Sequence, residues 1–269
     1  MMTKKVIEKW YKKLGFKSEY DGQFYNYLDT IEIPPDTEIE NYDLKSKDYK
    51  RNLLAVLYMC DRVEKFYNEK GIIEEILIDT LKDIVRWTDV WTDFNGYLCF
   101  GEMSWISLHL KGKLFKLGRL QFAMDDTWWE VKELGIKEKD PVLGVHIPRE
   151  GSLAKDKVIT SFNWANEFFP KYFPEHNYKY FCCKSWLLDD TLKEILPPDS
   201  GIVSFGDMFI KIEEEPHDSI LNFVFGKGAT RDKIDSYKCD TTLTKGIKQY
   251  IKEGKEFHLT RGYIKADNI

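Results

Sequence analysis

Residues 141–152 read Pro-Val-Leu-Gly-Val-His-Ile-Pro-Arg-Glu-Gly-Ser, and the fold turns on how they are read. Val142, Leu143, Val145 and Ile147 form a β-branched and apolar run suited to a buried strand. Pro148 ends it, because proline has no N–H to give to a sheet ladder. Arg149, Glu150 and Gly151 follow, and Ser152 is placed to cap a helix whose apolar residues, Val158, Phe162, Ala165 and Phe169, recur on one face. A strand, a glycine loop and a helix N-terminus together make an anion receptor, since the first helical N–H groups lack internal partners and carry the positive end of the helix dipole. Such an end is worth about 0.3–1 kcal/mol to an exposed anion and about 2 when partly buried, so a diphosphate needs further contacts. Arg149 is the nearest. The loop is neither a Walker sequence nor a G-x-G-x-x-G repeat, and an ordinary strand–loop–helix connection is the competing reading.

The rest of the chain sets the bounds. Its 269 residues suffice for two domains with their own cores. A charged fraction of 32% beside 15% aromatics describes a folded chain without disordered bias. The net charge of -5 argues against nucleic acid or an acidic membrane as partner. Cys60, Cys99, Cys182, Cys183 and Cys239 form no C-x-x-C pair, and an odd number fits free thiols in a reducing compartment. The histidines show neither H-x-H nor H-E-x-x-H spacing, so no metal is implied. The lysines near the N-terminus are followed by no apolar targeting segment, no run is long enough to span a membrane, and a cytoplasmic location is expected.

Residues 4–14 read as a short helix closed by Gly15, and residues 20–33 as an aromatic-rich irregular stretch broken at Pro34-Pro35. Residues 48–70 and 73–93 read as two helices, with Gly71 and Asn95-Gly96 as stops, and residues 103–111 as another. Over 113–123 the period changes to alternation, which predicts a strand with Arg119 and Gln121 on one face. After the central helix, residues 178–188 read as a strand, and Asp189 or Asp190 caps a short helix ending at Pro197-Pro198. Residues 203–213 and 220–225 read as strands, 241–253 as a helix, and the remainder as a tail.

The order from Val142 onward resembles the second half of the GNAT acyltransferase fold. Local sequences resemble a bacterial two-domain acyltransferase family: Leu-Phe-Lys-Leu-Gly-Arg-Leu-Gln-Phe (114–122), Val-His-Ile-Pro (145–148), Phe-Phe-Pro-Lys-Tyr-Phe-Pro (168–174), Cys-Lys-Ser-Trp-Leu-Leu (183–188), Leu-Pro-Pro-Asp-Ser (196–200) and Thr-Thr-Leu (241–243). The resemblance covers nearly everything beyond residue 48. It implies an α+β chain, with a helical N-terminal domain over 1–112 and a GNAT-like mixed-sheet domain with flanking helices over 113–269. The implied reaction is transfer of an acyl group from acetyl-CoA or another acyl-CoA to a small-molecule amine or amine-bearing acceptor. The family's pyrophosphate motif, Arg or Gln, two residues, Gly, any residue, then Gly or Ala, is replaced here by Pro148-Arg-Glu-Gly-Ser152, which sets Glu150 near the expected phosphates. A GNAT-shaped binding or regulatory protein without catalysis is therefore the alternative. The residues carry no signal for oligomeric state.

Removing a proton from an amine of pKa about 10.4 at pH 7 costs roughly 4 to 5 kcal/mol, whereas proximity supplies about 7 to 11. Positioning should dominate, with a base assisting. His146 is the candidate base, against a buried structural histidine as the alternative. The resemblance places on the next strand the group that protonates the departing thiolate, and Cys183 and Ser185 alternate onto one face there. It likewise implies that Val145, Ile147, Arg149, Gly151 and Ser152 hold the cofactor. Arg119 and Gln121 are candidates to hold a carboxylate or amide of the acceptor or cofactor, and Glu102 is an alternative base or acceptor contact at a helix start.

Overall fold

Asp48 opens a helix of 22 residues, accepting from the backbone N–H of Arg51 at 3.1 Å, and Gly71 closes it at φ 70°, a left-handed conformation that glycine adopts without strain. This helix, α3 (Tyr49–Lys70), buries Leu53, Val56, Leu57, Cys60, Val63 and Tyr67. The computed structural model describes residues 2–269 and divides into two units, Met1–Lys116 and Leu117–Ile269. Around α3 in the first unit stand α1 (Met2–Leu14), α2 (Asp21–Thr30), α4 (Glu74–Leu81), α5 (Asp83–Asn95) and α6 (Met103–Leu110). Two expectations change here. The stretch taken as irregular is α2, whose Phe24 stacks on Tyr11 of α1 with ring centroids 3.6 Å apart. The helix expected over 73–93 is two, parted at Lys82.

That parting turns Asp83 inward. Its carboxylate, 4% exposed, accepts from the Trp105 indole at 2.7 Å and from Arg86 at 3.3 Å, and lies 3.1 Å from His109 Nε2. Burial raises the pKa of a carboxylic acid, but the His109 contact, with Trp105 and Arg86, more than offsets this and brings Asp83 down to about 2. A folded-state pKa below the unfolded value of about 3.9 gives stability that is present above that pH and lost as pH falls toward 2. Asp83→Asn is therefore expected to cost about 3 kcal/mol in urea denaturation at pH 7, and the gap between variant and wild type should close as the titration is repeated toward pH 2. An unchanged gap at pH 2.5 would refute the assignment.

The second unit carries most of a six-stranded sheet of order β1-β2-β3-β4-β6-β5. The strands are β1 (Leu114–Leu117), β2 (Leu120–Asp126), β3 (Pro141–His146), β4 (Tyr180–Ser185), β5 (Ile210–Pro216) and β6 (His258–Lys265). Between β3 and β4 runs α7 (Lys155–Tyr172). Beyond β4 come α8 (Leu192–Ile195), α9 (Gly201–Gly206), α10 (Ser219–Phe225) and α11 (Thr242–Lys252). Phe162 of α7 packs edge-on against Phe122 of β2 and Phe181 of β4, at 5.7 and 4.8 Å between centroids, so these residues mark the α7 face of the sheet. The opposite face is covered in part by the excursion after β2, where Val131 and Ile136 cluster with Tyr263 of β6.

Several strand assignments are corrected. Residues 113–123 do not form one strand: Gly118, at φ 68°, and Arg119 turn the chain between β1 and β2. The strand expected from Val203 begins only at Ile210, because Ser200 caps α9 by accepting from Val203 N–H. Residues 220–225, β-branched and aromatic, are helical: Ile220, Leu221 and Val224 share a face and pack with Ile247, Tyr250 and Phe257. The β-propensity of that run is overridden by burial at helical spacing. The expected tail contains β6, an inner strand.

Candidate active site

Strands β3 and β4 are parallel, and they pair at two positions, Leu143↔Phe181 and Gly144↔Cys182. Each strand runs further, β3 to His146 and β4 to Ser185, held by its outer neighbour: β2 pairs β3 along its length and β6 pairs β4 along its length. The strands thus part in a V whose crotch is Gly144 and Cys182. Main-chain groups on the inner edges of the V are left for something other than a strand to bind.

The two faces of the V differ. Directly paired residues share a face and successive residues alternate. Phe181, Cys183 and Ser185 therefore lie on the α7 face, and Cys182 and Lys184 on the other. On β3, Val145 goes to the α7 face and is 2% exposed, while His146 goes opposite, paired across the strands with Gln121. The His146 ring folds back over Gly144, its Nε2 3.5 Å from where a Cβ on that glycine would stand. Gln121 is 2% exposed, and its Nε2 has no hydrogen-bond partner among the described residues. A buried donor without an acceptor costs about 1–3 kcal/mol unless a ligand supplies one.

Arg119, expected to hold a carboxylate or amide of the acceptor or cofactor, holds the loop. Its Nε donates to the Ser152 carbonyl at 3.0 Å and its Nη2 to the Gly151 carbonyl at 3.1 Å. The turn carrying Arg119 is itself fixed to α7, because the buried Ser161 hydroxyl accepts from the Arg119 and Leu120 N–H groups at 2.7 and 3.3 Å and donates to the Lys157 carbonyl. Turned toward Arg119, the loop carbonyls are taken out of the way of an anion. Gly151, at φ 86°, and its neighbours Arg149, Glu150 and Ser152 are exposed.

Ser152 does not cap the helix: α7 begins at Lys155, with Ala154 at its N-cap position and no side-chain cap. The amide end of an 18-residue helix is thereby left without an internal acceptor. The first residue of α9, Gly201, lies against this loop, and a Cβ there would stand 2.6 Å from the Leu153 carbonyl oxygen.

The other sequence candidates separate. Ile147, half-buried, starts the loop. Cys183 is 1% exposed, and burial holds its thiol pKa well above the ordinary value. It and His146 project from opposite faces. Ser185, at the tip of β4, accepts from the Leu187 N–H at 3.2 Å. Glu102 belongs to the helical unit, where it precedes α6 without capping it and accepts from the Trp91 indole at 3.0 Å. Sequence reading missed Cys182 and Arg261. Arg261 of β6 bonds Glu213 at 3.1 Å, lies 4.2 Å above the Trp129 ring, and places Nη1 3.9 Å from Cys182 Sγ. The alternation that moves Cys182 to the His146 side was legible, whereas Arg261 was hidden with β6.

Residues 114–264, more than half the chain, match the GNAT-like C-terminal domain, and residues 14–112 match the N-acyltransferase N-terminal domain. The chain belongs to the GNAT-like acyltransferase family that joins these two domains. This acyltransferase also has the fold of solved acyltransferase structures at 22% identity. One, in complex with decanoyl-CoA and teicoplanin, superposes with a TM-score of 0.77; a mutant with octanoyl-CoA and a complex with CoA and 10C-teicoplanin each reach 0.78. Each alignment covers 96% of this chain and 87% of the other. None of the curated protein sequences matches it. Among the described residues no acidic, histidine or cysteine cluster is arranged to hold a metal ion, and no helix is long and apolar enough to cross a membrane.

The loop geometry is open to a direct check. Arg119→Ala frees two loop carbonyls, and its main effect is expected on affinity for a CoA-sized anion, a loss of about tenfold from two charge-assisted hydrogen bonds, read by calorimetric titration with CoA. Gly201→Ala, by pushing on Leu153, should weaken CoA binding in the same titration.

Proposed function

We propose that this acyltransferase moves an acyl group from a CoA thioester to an amine on a small-molecule acceptor. The observation that carries the reading is the V between β3 and β4 opening beside a pinned loop and an uncapped helix end. The diphosphate lies on the amides of Gly151 and Ser152 and the first turn of α7, with Arg149 beside it and Glu150 turned to solvent. The pantetheine arm takes the place of the missing strand pairing, bonding main-chain groups of Val145 and Ile147, and brings the thioester to the crotch. Decanoyl- and octanoyl-CoA in the solved relatives favour a donor with a medium-length acyl chain, and teicoplanin there supports a small-molecule acceptor.

His146 receives the proton of the attacking amine, over a crotch that Gly144 keeps clear. Gln121, across from it, gives its unpartnered N–H to the carbonyl oxygen, on which charge develops as the tetrahedral intermediate forms. Glu102, engaged by Trp91, is left out of the reaction.

Two measurements test this. Octanoyl- or decanoyl-CoA at a hundredfold excess over Kd should stabilise the fold by about 2.7 kcal/mol in thermal melts. Thiol release in the presence of amines should fall about a hundredfold or more in kcat for His146→Ala, with KM little changed. Absence of stabilisation by any acyl-CoA would leave a GNAT-shaped protein without donor chemistry. Stabilisation without loss of rate in the variant would return His146 to a structural role.

A further inference from the structure

We propose that Cys182, not its neighbour Cys183, is the catalytic acid that protonates the departing CoA thiolate. The inference rests on the acyl-CoA reading above and deepens it.

Three features place it. Cys182 is the β4 member of the last residue pair before the strands part, so a thioester drawn into the V ends beside its side chain. It lies on the face of His146 and Gln121, whereas Cys183 is packed away on the α7 face at 1% exposure. Gln121 supplies the independent sign that something is received here, a buried amide donor with no partner among the described residues, one row from the crotch. Arg261 completes the arrangement. Its Nη1, 3.9 Å from Sγ, faces the sulfur on which negative charge appears once the proton is given up. Burial meanwhile raises the Cys182 pKa, which keeps the proton on the sulfur until a stronger base, the leaving thiolate, comes beside it.

The step balances. The amine nitrogen attacks the thioester carbon, forming the C–N bond, and His146 takes the N–H proton. The tetrahedral intermediate collapses, the C–S bond breaks with its electron pair on the CoA sulfur, and the Cys182 proton moves to that sulfur. The Cys182 thiolate, beside Arg261, recovers a proton from the His146 imidazolium over Gly144. The net result is amide and CoA thiol, with the amine proton delivered to sulfur.

The role depends on the basicity of the leaving group, which a packing role does not. Thiol release to hydroxylamine is measured for wild type, Cys182→Ala and the near-isosteric Cys182→Ser with two donors, octanoyl-CoA and the octanoyl thioester of 4-nitrothiophenol, whose thiolate departs without a proton. A hundredfold or larger loss of kcat with octanoyl-CoA is expected for Cys182→Ala, against less than threefold with the aryl thioester, and Cys182→Ser should fall between. Equal losses on both donors, no loss on octanoyl-CoA, or an octanoyl adduct on Cys182 by intact mass would overturn the proposal. Wild type that neither binds octanoyl-CoA nor releases its thiol removes the acyl-CoA reading and this step with it. Wild-type turnover matched by Cys182→Ala removes only this step.

Discussion

A parallel strand pair that stops after two residue pairs leaves main-chain N–H and C=O groups on the inner edges of both strands without a strand partner. Each such group, if unsatisfied, costs about 1–3 kcal/mol, so the chain must prevent the strands from closing. It does so from outside. Strand β3 is held by β2 from Pro141 to His146, and β4 by β6 from Tyr180 to Ser185, so neither strand can rotate inward without breaking a full ladder. On the α7 face, Phe162, Phe122 and Phe181 close a triangle of touching rings that fixes the floor. The opening is thus a consequence of well-paired neighbours, and a ligand with its own amides can recover the hydrogen bonding that the strands forgo.

The loop at the end of β3 obeys a similar constraint. A helix end attracts an anion only if its amides are clear and its carbonyls are turned elsewhere. Here one arginine on a turn between two strands does the turning, and one buried serine on the helix fixes the turn. The usual glycine-rich sequence reaches the same end by backbone freedom alone. This chain keeps a single positive-φ glycine in the loop, Gly151, and supplies the remaining order through side chains from the β1–β2 turn and α7. The departure in sequence is therefore accompanied by a device that lies 32 and 33 residues upstream of the carbonyls it holds.

Much of this was readable before the structure, for definite reasons. The strand read as running to Pro148, which the structure ends at His146, and the helix stripe from Val158 to Phe169 follow from period and punctuation, which act locally. Asp48 and Gly71 bound α3 for the same reason. The errors arise where local chemistry is outvoted. Residues 220–225 favour a strand by composition, yet their buried positions recur at helical spacing against α11. Strand β6 was passed over because Arg261 and Gly262 interrupt its alternation. Gly262 is required because Phe209 Cβ would stand 2.7 Å from a Cβ there, and Arg261 reaches across to Glu213 and Trp129. These are demands of tertiary approach, and nothing local announces them. Arg119 was read as a contact for the acceptor or cofactor; the pair of carbonyls it grips in the chain itself is visible only once the turn before β2 is set against α7.

Two adjacent cysteines show how far a strand's alternation separates chemistry. One step along β4 carries the side chain from the phenylalanine-lined α7 face to the face that bears His146, Arg261 and Glu213. Both thiols have their pKa raised, and both for the same first reason, burial, yet among the described residues Arg261 makes its contact, Nη1 to Sγ at 3.9 Å, with Cys182 and acts on Cys183 only at longer range. Burial makes a thiol reluctant to ionise in the resting protein, and a nearby cation limits what ionisation costs once a basic leaving group asks for the proton. The combination suits a group that must give up its proton at one moment of a cycle and hold it at every other. Cys183, 1% exposed on the α7 face, has no such contact among the described residues, and burial as a small apolar side chain is sufficient reason for it to be there.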